Sequence, residues 1–203
     1  MLTRIELPEN IDSRPLPNVV DGWITAALGR IEVFQDCWQR NQIEQFVAAD
    51  YAHVFRVLDW ARQSQPLLGN RFLEWGCGFA VVCSLAAHLG FDAIGIEAES
   101  VLLDQGRQTV AAWDTGVELV CGNFLPPGSE RLADDPMLPS LGHDVPCGYE
   151  QLGLELSDFS IVYSYPWPGE DDFHELVFDR YAEPGSLLLQ FCGPNDVRLW
   201  RKT

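Results

Sequence analysis

The sequence predicts an α/β fold: a doubly wound, mostly parallel sheet of about six strands, with an antiparallel C-terminal edge strand and two N-terminal helices packed on it. Three observations carry this. From Arg71 onward, short apolar runs alternate with helical stretches, the mark of parallel βαβ units with helices on both faces of a sheet. A glycine-bearing turn follows the first of those runs. The last two apolar runs are separated only by Gly193, Pro194 and Asn195, a turn too short for a crossover and suited to an antiparallel hairpin.

The elements follow in order. Pro8, Pro15 and Pro17 punctuate an irregular start. Trp23, Ile24, Ala27, Leu28, Ile31, Phe34 and Trp38 then recur at three- and four-residue spacing, and Ile43, Phe46, Val47, Tyr51, Val54, Val57, Leu58 and Ala61 do so again until Pro66 and Gly69 stop the pattern. Residues 1–70 therefore read as an irregular segment and two helices that pack on the core, and 71–203 as the main domain, in a single compact unit. Within that domain RFLEW, FDAIGIE, VELVCGN, DFSIVYSY and SLLLQFC are expected strands, with helices over AVVCSLAAHLG, SVLLDQGRQTVAAW and DDFHELVFDRYA. The Pro-rich residues 125–148 read as one long loop, and DVRLWRKT as the edge strand pairing with 186–192.

Composition narrows the function. The 203 residues, 47% of them hydrophobic, suffice for one good core. Thirty acidic against thirteen basic residues give a formal charge of −17, which opposes approach to phosphate backbones and anionic lipid; neither a nucleic acid nor a membrane is expected as partner. There is no apolar run of membrane-spanning length and no signal or transit character near the N-terminus, so a cytoplasmic protein is expected. Cys37, Cys77, Cys83, Cys121, Cys147 and Cys192 lack CxxC spacing and read as reduced thiols. His143, Cys147 and His174 lack the paired spacing of a zinc site, so no metal is expected, and Asp134 and Asp135 read as a solvated acidic turn.

Chemistry concentrates where the first strand ends. In an open α/β sheet ligands bind beyond the carboxyl ends of the strands, beside the first crossover helix. Gly76 and Gly78 let the backbone turn sharply and approach a ligand closely there, and the helix that follows offers unpaired N–H groups. Glu74, two residues before the first glycine, opposes a pyrophosphate and favours a ligand with an ammonium group. Glu97, ending the next strand, is placed to accept from ribose hydroxyls. The two acids together suit an adenosine with an amino-acid tail.

The stretch Glu74-Trp-Gly76-Cys77-Gly78-Phe-Ala80 resembles the first motif of the class I, Rossmann-like S-adenosylmethionine-dependent methyltransferases, an acid followed by x-Gly-x-Gly-x-Gly, with alanine at the third glycine. The resemblance covers roughly residues 70–192. It implies that Glu74 and the loop backbone of Gly76, Cys77 and Gly78 hold the methionine portion of S-adenosylmethionine, that Glu97 holds the ribose, and that Asn123 and Phe124 frame the adenine. It also places the methyl acceptor at the end of the fourth strand, Ser164-Tyr165-Pro166-Trp167, which is similar to the Asn/Asp-Pro-Pro-aromatic motif of the amino-methylating branch, with serine for the amide or acid and tyrosine for the first proline. Tyr165 and Trp167 are the candidate walls of that pocket, Tyr165 also a candidate to polarise the nucleophile, with the 125–148 loop as part of its roof. Glu170, Asp171, Asp172 and His174 lie close by in sequence; none is assigned as a base, because Asp171 and Asp172 equally suit a helix cap. Tyr51 is a candidate to close over the cofactor.

The resemblance implies in-line methyl transfer to a small molecule or protein side chain, with S-adenosylhomocysteine as product. Two other readings stay open. A non-catalytic module could keep the same fold, given the altered Ser164–Trp167 stretch and the short C-terminal edge. A nicotinamide dinucleotide oxidoreductase could use Gly76-x-Gly78 with Glu97, although the third glycine of GxGxxG falls on Val81.

Overall fold

The structure is a computed structural model and describes residues 1–36, 46–129, 145–194 and 196–203. Seven strands form one sheet: β1 (Leu2–Ile5), β2 (Arg71–Trp75), β3 (Asp92–Glu97), β4 (Glu118–Cys121), β5 (Ile161–Ser164), β6 (Leu187–Gly193) and β7 (Asp196–Lys202), in the spatial order β1-β7-β6-β5-β2-β3-β4. Strands β2 to β6 are mutually parallel, and β7 runs antiparallel to both β6 and β1. The helices are α1 (Asn18–Gln35), α2 (Tyr51–Ser64), α3 (Val81–His88), α4 (Ser100–Trp113), α5 (Gly148–Leu152) and α6 (Asp171–Tyr181). From β2 the chain winds outward to β3 and β4, then crosses to β5 and β6 on the other side, so the order reverses between β2 and β5. A ligand crevice is expected at that reversal.

Two expectations need correction. The sheet has seven strands rather than about six, because Leu2–Ile5, in the stretch read as irregular, pairs antiparallel with β7 from Leu2↔Lys202 to Ile5↔Leu199. The edge position beyond β7 is thus filled from the N-terminal end of the chain. There the Thr203 N–H donates to the Met1 carbonyl (2.9 Å), and the Met1 ammonium lies 2.6 Å from Asp179. Second, the 125–148 segment is not loop throughout: Asn123 and Cys147 form a parallel bridge, and α5 begins at Gly148. Residues 130–144 of that segment, with Asp134, Asp135 and His143, lie outside the described residues, as do Cys37, Trp38, Ile43 and Asn195. The expected pairing of the C-terminal segment with 186–192 is present, with Leu187↔Arg201 to Phe191↔Val197 in register.

Alternation along each strand sorts the core into two faces. Phe72, Ile161, Tyr163, Leu187 and Leu189 point toward α1, α2 and α3, whereas Leu73, Trp75, Val162 and Leu188 point toward α5 and α6. On the first side α1 buries Val20, Ile24, Ala27 and Ile31 at helical spacing. It also grips α4: Trp23 stacks on Trp113 at 4.9 Å, and the Arg30 guanidinium donates to the Gln105 carbonyl and the Thr109 hydroxyl. Helix α2 begins at Asp50, whose carboxylate accepts from the His53 N–H (3.0 Å), an N-cap that directs Tyr51 inward under the carboxyl ends of β2 and β5.

Candidate functional site

The turn after β2 is built by its unusual residues. Gly76, Gly78 and Ala80 all have positive φ (+67°, +49° and +53°), so the chain takes three left-handed steps before α3. Glycine adopts this conformation freely; alanine does so at a cost of about 1–2 kcal/mol. The substitution at the third glycine position therefore loads the backbone of the turn. Packing fixes the turn as well. The Gly76 and Cys77 N–H groups both donate to the Ile96 carbonyl (2.9 and 3.0 Å), and a Cβ on Gly95 would meet the Cys77 side chain at 2.8 Å. Cys77 thus faces the sheet, its thiol pushed up by burial, and only its backbone belongs to the turn's outer surface.

The two acids flank this turn. Glu97 is 7% exposed, and its carboxylate accepts from the Gly78 N–H (2.8 Å) and the Glu99 N–H (2.9 Å), one on each oxygen. Glu74 is 5% exposed and accepts from the Cys83 N–H in the first turns of α3 (2.8 Å). Burial raises its pKa to about 8, against the hydrogen bonds from Cys83 that favour the anion, with Glu97 adding to the rise. A cationic ligand group beside Glu74 would reverse that penalty.

A crevice opens between these residues and α2, lined by Phe46, Tyr51, Glu74, Val81, Tyr163 and Tyr165, with Gly76 and Cys77 at its floor. Phe46 stacks on Phe79 at 5.2 Å and lies so close over Gly78 that a Cβ there would meet its ring edge at 2.7 Å and push the ring aside. Tyr51 and Tyr165, both singled out from sequence, stand in this crevice, with Tyr165 edge-on to Phe191 at 4.9 Å. Sequence reasoning missed Tyr163. Its side chain is 2% exposed, and its hydroxyl has no hydrogen-bond partner. The signal was the two-residue alternation in IVYSY, which puts Tyr163 and Tyr165 on one side of β5.

The remaining expected site residues lie elsewhere. The Asn123 side-chain oxygen accepts from the Leu125 N–H (2.9 Å) and so shapes the turn after β4. Phe124 stacks on Trp75 at 5.1 Å, on the sheet face opposite Glu74, where the Trp75 indole N–H donates to the Tyr149 hydroxyl (2.8 Å). His174 closes this group edge-on to both rings. It is buried, neither ring nitrogen has a partner, and burial holds its pKa down to about 3. Trp167 is 39% exposed and is not among the crevice-lining residues; its carbonyl accepts from the Glu170 N–H. Among the described residues no group of three or more His, Cys, Asp or Glu side chains could hold a metal, and no helix is long and apolar enough to cross a membrane.

No family model and no curated protein matches the chain. Solved structures do. A protein from Klebsiella pneumoniae assigned provisionally to the O-methyltransferases aligns at 18% identity over 87% of this chain and 66% of its own length, with a TM-score of 0.50. An RNA methyltransferase from Salinibacter ruber in complex with S-adenosyl-L-homocysteine aligns at 14% identity over 93% of this chain and 92% of its own, with a TM-score of 0.44. A SAM-dependent methyltransferase from Thiobacillus denitrificans, also with S-adenosyl-L-homocysteine, aligns at 15% identity over 87% and 56%, with a TM-score of 0.45. At these identities the likeness speaks to architecture, and the Klebsiella structure carries it. Together with the reversal at β2 and the acid-flanked glycine turn, it gives this chain the fold of the class I S-adenosylmethionine-dependent methyltransferases.

Proposed function

We propose that the protein is an S-adenosylmethionine-dependent methyltransferase acting on a small molecule or a protein side chain. The observation that carries this reading is the pair of buried carboxylates, Glu74 and Glu97, set at the carboxyl ends of adjacent strands around a glycine turn. Glu97 stands at the end of β3 beside the glycine turn, where a ribose would lie, and Glu74 favours an ammonium and disfavours a pyrophosphate, which argues against a dinucleotide. When bound, the cofactor supplies a methyl group already activated by its sulfonium. The chain's residues then bind, orient and exclude water. In this reading Glu74 and the Gly76–Gly78 turn hold the amino-acid end, Glu97 the ribose, and the backbone after β4 at Asn123 and Phe124 borders the adenine side, the Phe124 ring itself staying with Trp75 on the opposite face. Tyr51 and Phe46 cover the crevice, and Tyr165 and Trp167 border the acceptor.

The acceptor class rests on charge: −17 overall and no basic side chain among the described residues lining the crevice, which favours small or protein acceptors over RNA. The five described cysteines are all free, in keeping with a cytoplasmic setting.

Calorimetric titration with S-adenosylmethionine and S-adenosylhomocysteine, with NAD as control, tests the cofactor. Binding of the first two and not of NAD, weakened about tenfold or more in Glu97→Gln, is the expected result. Binding of NAD alone, or of none, would sink the reading. A labelled methyl donor then separates acceptors: label in a small-molecule or protein fraction is expected, and label confined to RNA would overturn the acceptor class.

A further inference from the structure

Cofactors of this kind end in a zwitterion, an ammonium and a carboxylate on one carbon. The acid of the glycine turn answers only the first. Several donors nearby are already committed: the Gly76 and Cys77 N–H groups to Ile96, the Gly78 N–H to Glu97, the Ala80 N–H to the Cys77 carbonyl and the Cys83 N–H to Glu74. No lysine, arginine or histidine stands among the described residues lining the crevice. One buried side-chain donor there lacks a partner, the Tyr163 hydroxyl. Its position is specific. Tyr163 is the direct register partner of Glu74 across the β2–β5 ladder, on the same face, about 4.8 Å away along the hydrogen-bonding direction. Neighbouring strands thus put an unpartnered donor and a carboxylate into one crevice, and an α-amino acid presents the complementary pair of groups.

We propose that Tyr163 is a ligand-contacting residue: its hydroxyl donates to the carboxylate of the cofactor's amino-acid end while Glu74 takes the ammonium, so that neighbouring strands read the two charges of one zwitterion. This rests on the cofactor reading above and extends it to a residue outside the glycine motif. It also accounts for a polar tip at a strand position where phenylalanine would fill the same space without burying an unpaired hydroxyl. Val81 and Val82, in the first turn of α3, line the same crevice, so their backbone N–H groups are the competing donors.

The experiment compares wild type with Tyr163→Phe by calorimetry, using S-adenosylhomocysteine and 5′-methylthioadenosine, which keeps the adenosine and lacks the amino-acid tail, together with thermal melts of the free proteins. The expected result is about a tenfold or greater loss of S-adenosylhomocysteine affinity in the variant, unchanged affinity for methylthioadenosine, and a melting temperature no lower than wild type. Equal S-adenosylhomocysteine affinity in both proteins would overturn the proposal in favour of the α3 amides and leave the cofactor reading standing. Equal losses for both ligands would also overturn it, because a repacked crevice and not a carboxylate contact would then be the cause. Wild-type binding of methylthioadenosine alone would overturn the zwitterion site and keep an adenosine pocket. Binding of neither ligand would overturn the cofactor reading, and this inference with it.

Discussion

Glu74 and Trp75 are consecutive residues at the end of β2, and the sheet sends them to opposite faces with opposite consequences. On the Glu74 side the buried polar groups are held open: a carboxylate on a helix amide, a phenol without a partner, and a crevice between them. On the Trp75 side aromatic rings close over the strand end, with Phe124 stacked, Tyr149 bonded to the indole and His174 wedged edge-on. On each face burial drives one of these side chains, Glu74 or His174, toward its neutral form, and the two titrate from opposite directions. The difference teaches that burial alone does not mark a ligand site. What marks it is burial beside unfilled space and unused hydrogen-bonding capacity.

The largest effect expected from this contrast is on the Glu74 side. Its folded pKa, about 8, lies above the ordinary carboxylate value, so stability present at acid pH is lost as pH rises through about 8. Glu74→Gln is expected to flatten that fall and to stabilise the free protein by about 2–4 kcal/mol at high pH, while weakening cofactor binding. Urea unfolding at pH 5 and pH 9 measures it. An unchanged slope in the variant would break the comparison on this face.

His174 gives the mirror image. Its folded pKa of about 3 lies below the ordinary imidazole value, so stability is intact above about 6.5 and is lost as pH falls toward 3. His174→Leu is expected to remove that acid sensitivity and to add about 1–2 kcal/mol at neutral pH by deleting two unpaired ring nitrogens. Cofactor affinity should not move. A loss of affinity with retained stability would extend the functional site to the closed face.

The smallest effect is at Ala80, on the open side. Ala80→Gly relieves the positive φ and partly offsets this through the greater freedom of glycine in the unfolded chain, for a net gain of about 0.5–1 kcal/mol. A small rise in melting temperature checks it, and no rise would mean that the left-handed turn carries no strain.

How much of this was legible in the sequence differs by residue for physical reasons. Glu74, Gly76, Gly78 and Glu97 stand out because a carboxylate and glycines interrupt apolar runs, a cost that local structure alone does not explain. β1 did not stand out: in Leu2–Ile5 only the end residues are partly buried, and its partner is β7, whose contribution no local window contains. α5 starts on a glycine and spans five residues, too few for a helical period. Tyr163 sits inside an apolar run that reads as plain core, and only the β2–β5 register pairs it with Glu74 on one face of the sheet. For Phe124 the sequence fixes a place after β4; which sheet face its ring joins depends on the path that brings it to Trp75.

The pairing of β1 with β7 also bears on how the molecule assembles. These strands come from opposite ends of the sequence, so bringing them together closes a loop through nearly everything else and returns only the short ladder from Leu2↔Lys202 to Ile5↔Leu199. Such a contact gains most after the intervening strands are already in place. The kinetic implication is that this pairing forms late, after β7 has joined β6. Until then the outer rim of β7 is an unpaired strand edge, open to pairing with another chain.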